Sequence, residues 1–247
     1  MAKDTSTINL LDYKVLSFDV YGTLIDWEGG IITALQPLLT KDDSKASATR
    51  EELMNAFHKL EADQQTRTPS KPYNELLATV HQQFAEQMGL PIPTNEESTA
   101  FGNTVGEWPA FTDTVDALRR LSKTYKLVVL SNVDRASFAK TNAGPLAGVK
   151  FDAILTAQDI GSYKPDLRNF EYMLEYVKEH LGVEKAQVLQ TAQSQFHDHQ
   201  PAQKVGIRSV WIARKGAAMG NREGAIYDRM YGTLGEMADA VEAESKP

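Results

Sequence analysis

Apolar and polar positions follow two rhythms along this chain. Five short, nearly continuous apolar runs each end in small or polar residues: Lys14 to Asp19, Lys126 to Ser131, Phe151 to Thr156, Ala186 to Ala192 and Arg208 to Ala213. Runs of this length predict strands buried on both faces, and hence a parallel sheet. Helical patterns fall between the later four, at Ser137 to Lys140, Asn169 to His180 and Gln200 to Val205. Repeated strand–helix–strand units require right-handed crossovers, so the predicted core is a doubly wound, Rossmann-like α/β sheet. In such sheets chemistry gathers at the carboxyl ends of the strands, near the point where strand order reverses.

About a hundred residues separate the first two strands, too many for one crossover. Helical periods fill that interval at Gly30 to Leu39, Arg50 to Gln65, Tyr73 to Met88 and around Asn95 to Phe101, with a loop at Thr66 to Tyr73. The expectation is an α-helical insert over residues 27–109, with the core formed by 1–26 and 110–247 and re-entered at the helix near Asp113. An insert over the strand ends can close a pocket and exclude water, or supply an oligomer surface. The last helix, Gly235 to Ala243, reads as a surface element away from the chemistry.

Composition narrows the partners. The chain has 247 residues, 26 Lys and Arg against 33 Asp and Glu, a net charge of -7 and no cysteine. A net acidic chain without a basic cluster disfavours nucleic acid. Lack of cysteine removes disulfides, thiolate zinc sites and thiol nucleophiles. The start, MAKDTSTINLLDYK, has no apolar run suited to a signal peptide, and no later stretch suits a membrane span. A cytoplasmic protein acting on a small molecule is expected.

Candidate chemistry sits at the predicted strand ends. Asp19 closes the first run and is followed by Tyr21, Gly22 and Thr23; Ser131 and Asn132 close the second. Lys164, within Ser162-Tyr163-Lys164-Pro165-Asp166, follows the third, and Ser194 and Asp198, within Gln193-Ser194-Gln195-Phe196-His197-Asp198, follow the fourth. Asp, Ser and Asn also cap helices and turns, so each residue alone says little. An acid, small polar donors, a cation and a second acid at successive strand ends form a stronger constellation. His197 and His199 flank Asp198 and read as structural, because adjacent side chains rarely converge on one metal ion. Trp27 is near enough to Asp19 to line a pocket, whereas Trp108 and Phe111 read as packing at the hinge of the insert.

The ordered motifs FDVYGTL, LSN, YKPD and QSxxHD resemble the haloacid dehalogenase superfamily over nearly the whole chain, and within it the type II 2-haloacid dehalogenases. Tyr21 carries that distinction, because the superfamily's phosphatases have a second Asp at its position; GEWPAF, Gly106 to Phe111, resembles the same branch. The resemblance implies a Rossmann-like core with a helical cap, no metal, no cofactor and a homodimer. It also implies metal-independent conversion of short 2-halocarboxylates to 2-hydroxy acids through an aspartyl ester. Asp19 would be the nucleophile, Thr23 would steady it, Lys164 would hold it ionised, and Asp198 would pair with Lys164 and position water. Ser131 would take the substrate carboxylate and Asn132 the departing halide, with Tyr21, Ser194 and Trp27 completing the substrate site.

Three positions depart from that pattern. No Arg of the helix REELMNAFHKLEADQQ falls in register with the one that cradles substrate in related enzymes, which leaves Arg50, His58, Gln65 and Arg67 as polar candidates. Phe170 stands where those enzymes usually have Tyr, and Gln193 and Gln195 flank Ser194 where shorter residues are usual. Two other readings compete. A magnesium-dependent phosphatase would use Asp19, the Tyr21 carbonyl and Asp198, but lacks a general acid at Tyr21 and a further acid at Gln193. A non-catalytic binding protein gives no reason to hold a lysine beside two carboxylates.

Overall fold

The computed structural model describes residues 8–41, 48–220 and 224–246; the start of the chain read for a signal peptide lies outside them as far as Thr7. Six strands form one sheet: β1 (Val15–Phe18), β2 (Lys126–Ser131), β3 (Ala153–Thr156), β4 (Val188–Ala192), β5 (Arg208–Ile212) and β6 (Arg229–Tyr231). Their order is β3-β2-β1-β4-β5-β6, with every pair parallel. The chain steps outward from β1 on one side and returns to β4 on the other, so the order reverses between β1 and β4. Phe18 pairs with Val129 and with Thr191, which brings the ends of β1, β2 and β4 level. All residues of β1 and β4 are buried, as continuous apolar runs require. The sequence reading missed β6, a partly exposed edge strand whose three residues show no apolar run.

Four helices lie between β1 and β2 and make the inserted cap: α1 (Trp27–Leu39), α2 (Arg50–Arg67), α3 (Tyr73–Met88) and α4 (Asn95–Asn103). Thr49 and Glu52 form a reciprocal capping box that starts α2, and Arg67 ends it, so Thr66 and Arg67 belong to the helix rather than to the expected loop. The two chain segments entering and leaving the cap run side by side, with Asp26 N–H donating to Pro109 O at 2.8 Å and Phe111 N–H to Leu24 O at 3.0 Å. Around the sheet lie α5 (Thr114–Leu121), α6 (Arg135–Ala143), α7 (Ala157–Ile160), α8 (Leu167–Leu181), α9 (Gln200–Val205) and α10 (Leu234–Glu244).

Alternation along β1 divides the core. Leu16 and Phe18 join a cluster that continues into Phe57, Leu77 and Phe84 of the cap, while Val15 joins Val128, Leu130, Phe170 and Met173 on the other face. Phe170 is therefore core packing, and the hydroxyl it lacks is missing from the sheet's far side. Between β5 and β6 the described chain has no helix; it runs along the cavity, where Arg214, Gly216, Met219 and Gly220 contribute to the lining.

Candidate active site

A cavity of about 200 Å³ opens at the ends of β1, β2 and β4, bounded by the core on one side and the cap on the other. Asp19 leaves β1 straight into it, and the chain turns at Gly22, whose φ of 96° is a backbone conformation suited to glycine. Thr23 returns from that turn: its hydroxyl donates to Asp19 Oδ2 at 2.6 Å and accepts from the Gln193 N–H at 2.9 Å. One carboxylate oxygen is thereby fixed from two strand ends.

Lys164 holds the other. Its Nζ donates to Asp19 Oδ1 at 3.0 Å, Asp198 Oδ1 at 2.7 Å and Leu130 O at 2.9 Å, which uses all three ammonium protons. Lys164 is 1% exposed, Asp198 0% and Asp19 7%. Burial alone would lower the Lys164 pKa; the carboxylates of Asp19 and Asp198 outweigh it and hold the value above that of an ordinary lysine. Asp198 is pushed up to about 7, because its desolvation, reinforced by the charge of Asp19, outweighs the pull of Lys164. The Gln190 side-chain amide donates to Asp198 Oδ1 at 2.9 Å, while Asp198 Oδ2 is buried without a partner. Gln190 was missed in the sequence, although a polar residue inside the β4 run was a usable signal.

The other expected site residues divide. Ser131 Oγ is buried without a hydrogen-bond partner beside the cavity, which leaves it available to a ligand. Asn132 is recast. Its Oδ1 accepts from the Lys164 N–H at 2.6 Å and its Nδ2 donates to Lys164 O at 3.0 Å, so the side chain clamps the lysine's backbone instead of standing ready for a halide. Tyr21 lines the cavity, yet its hydroxyl is engaged with Thr141 Oγ1 at 2.8 Å, and burial raises its pKa. Ser194 also lines the cavity, and its hydroxyl accepts from the His197 N–H at 3.1 Å. Trp27 lies on the cap wall and donates from Nε1 to Tyr73 Oη at 3.2 Å.

Asp198 sits in a π-turn, Gln195–His199, that runs directly into α9; His199, not Asp198, occupies the N-cap position of that helix. His199 is buried between Ser209 Oγ and Ala192 O, a structural setting that desolvation favours in neutral form, with its pKa lowered to about 4. The two long amides have clear work. Gln193 Nε2 donates to Met219 O at 2.8 Å, and Gln195 Oε1 accepts from the Ile226 N–H at 2.8 Å, so both pin the chain between β5 and β6 against the site.

On the cap side, Arg50 reaches the cavity margin but is 49% exposed at its side chain and paired with Glu28 at 3.1 Å. Arg67 does not line the cavity, whereas His58 and Gln65 do. Glu61 and Tyr73, which the sequence reading passed over, line it as well. Nothing local marks Glu61 among the acids of α2; only packing buries it. Arg214 was also passed over, and it anchors the cavity's rim by donating to Thr23 O and Asp113 Oδ1 at 2.9 and 2.6 Å.

A divalent metal fits this donor set poorly. The facing oxygens of Asp19 and Asp198 already converge on an ammonium group, Gln193 offers no charge, and among the described residues no group of three His, Cys, Asp or Glu is arranged to hold an ion.

Comparison with solved structures places this arrangement in a known fold. An L-2-haloacid dehalogenase from Xanthobacter autotrophicus, solved with chloropropionic acid covalently bound, matches with a TM-score of 0.74 at 19% identity, over 93% of this chain and 98% of that one. A defluorinating L-2-haloacid dehalogenase gives 0.75 at 16% identity, over 98% and 99% of the two chains. The putative HAD-hydrolase YfnB from Bacillus subtilis, bound to magnesium, gives 0.71 at 16% identity, over 93% and 99%. No curated protein sequence matches the chain. The family model for haloacid dehalogenase-like hydrolases matches residues 16–212. That span takes in β1 to β5, the cap and each strand end described above, and the chain belongs to the haloacid dehalogenase-like hydrolase family.

Proposed function

We propose that this protein removes halide from short 2-halocarboxylates by covalent catalysis at Asp19, without a metal. The observation that carries the reading is the buried Lys164 ammonium bridging Asp19 and Asp198. It holds the first carboxylate ionised and aimed in a cavity sized for a small substrate. Ser131, with its unpartnered hydroxyl, takes the substrate carboxylate.

An Asp19 oxygen attacks C2 of the substrate, the carbon–halogen bond breaks, and the halide departs with the electron pair. The resulting ester is hydrolysed at the Asp19 carbonyl carbon by water. Asp198, with a pKa near 7, is suited to accept the water proton at neutral pH. Asp19 is regenerated, and the products are a 2-hydroxy acid inverted at C2, halide and a proton. Tyr21 cannot protonate an alkoxide leaving group while its hydroxyl is engaged with Thr141, so the chemistry favours a leaving group that needs no acid as strong as a carboxylic acid at that position. We extend the proposal to a division at residues 27–109, a homodimer and a cytoplasmic location, all carried by the resemblance.

Halide release from 2-bromopropionate in the presence of EDTA tests the reading. The parent protein should release bromide and Asp19→Asn should not. A folded parent that releases none, but cleaves phosphate esters with magnesium, would overturn it.

A further inference from the structure

In-line displacement fixes where the halide goes. Asp19 attacks from the end of β1, so the departing atom lies on the far side of the reacting carbon and moves toward the cap. The cap's cavity wall therefore has to offer a hydrogen-bond donor to an anion. Its arginines do not meet that need: Arg50 is neutralised by Glu28, and Arg67 is off the cavity. Trp27 gives its N–H to Tyr73, and Tyr73 gives its hydroxyl proton to Glu61 Oε1 at 2.7 Å. Gln65 Nε2 also donates to Glu61 Oε1, at 3.3 Å.

Those bonds converge on one oxygen of Glu61. Its second oxygen, Oε2, receives no hydrogen bond among the described residues, and the side chain has no cationic partner there. A buried carboxyl without a cation is most stable neutral, and a neutral carboxyl supported at one oxygen is a donor at the other. We propose that neutral Glu61 is the halide-binding group of this cavity, its Oε2–H donating to the departing halide while Tyr73 and Gln65 hold Oε1. The proton stays on Glu61; the halide leaves with the bonding pair and is stabilised by the hydrogen bond alone. This inference rests on the dehalogenation reading and gives the cap a donor where related enzymes use arginine.

A carboxyl in this role makes halide binding depend on pH. Burial, opposed by the Tyr73 bond, pushes Glu61 up to about 7. Its charged and titratable neighbours on the cavity are few in kind. His58 lies on the same helix and Tyr73 on α3. The core supplies Asp19 and Asp198 bridged by Lys164, with Tyr163 nearby. Arg50 is paired with Glu28, Arg214 with Asp113, and Asp26 caps α1; His197 and Lys215 come from the loops after β4 and β5. His58 and Asp198 are the groups that could mimic the effect, so substitution at Glu61 itself has to decide.

Bromide binding, read from line broadening of the bromide NMR signal at constant ionic strength, requires no turnover. The parent should bind at pH 5.5 and lose affinity about tenfold per pH unit above about 7, the slope of one ionisation. Glu61→Gln keeps a donor at every pH, so its profile should be flat and its affinity at pH 8.5 at least tenfold above the parent's. Tyr73→Phe removes a bond that favours ionised Glu61 and should move the parent midpoint to higher pH, a shift that a purely structural role would not produce. Identical profiles in parent and Glu61→Gln, or no bromide binding by the parent at any pH, would overturn the assignment. Glu61-dependent bromide binding without bromide release from 2-bromopropionate would instead sink the dehalogenation reading and leave the anion site standing.

Discussion

Lys164 is the residue on which the site's charges balance. With all three protons given to Asp19, Asp198 and Leu130 O, it leaves a net single negative charge in a space without solvent. Lys164→Met should cost about 3–5 kcal/mol of stability, because two buried carboxylates then face each other without a cation. Urea unfolding at pH 7 measures the loss, and adding Asp198→Asn should recover part of it. Asp19, Thr23, Lys164 and Asp198 were legible from sequence because each sits at a strand end, where backbone topology fixes its direction. Asn132 and Tyr21 were misassigned for a physical reason: their partners, the Lys164 backbone and Thr141, are far away in sequence. Glu61 was illegible because an acid on a charged helix reads as solvated until the neighbouring helices bury it.

At the scale of elements, continuous apolar runs gave the buried strands, and the cap helices followed from their periods. The edge strand β6 and the preceding segment escaped because their position is set by side-chain bonds rather than by apolar pattern. Glu28 shows how: from the first turn of α1, its Oε1 accepts from the N–H groups of Ala218 and Met219, both at 2.9 Å. The cap is thereby tied to the chain between β5 and β6 by a buried carboxylate. Glu28→Ala should release those two amides, so hydrogen–deuterium exchange at Ala218 and Met219 should quicken by at least tenfold, with KM rising more than kcat falls. Unchanged protection at both amides would show that Gln193 and Gln195 hold the segment by themselves.

Across the whole molecule, cap and core share one apolar cluster and a pair of hydrogen-bonded connecting segments. Each lobe also buries a neutral histidine: His81 in the cap, against Ser98 and Phe101, and His199 in the core, both with pKa lowered to about 4 by desolvation. A histidine whose folded pKa is depressed contributes stability that is present above about pH 6.5 and is lost as pH falls toward 4. The urea midpoint should therefore drop over that interval, and the double variant His81→Asn, His199→Asn should drop less steeply than the parent.

The chain between β5 and β6 joins two parallel strands without the usual crossover helix, at least in its described residues. Its anchor points are few: Arg214 at one end, Asp228 bonded to the Ser209 N–H at the other, and the bonds to Glu28, Gln193 and Gln195 between them. Substitutions spaced between those anchors would alter the cavity rim and leave the sheet register intact. A combinatorial library confined to Lys215, Gly216, Ala217 and Met219 is accordingly the economical place to recruit this scaffold for new substrates, because altered selectivity there is uncoupled from folding.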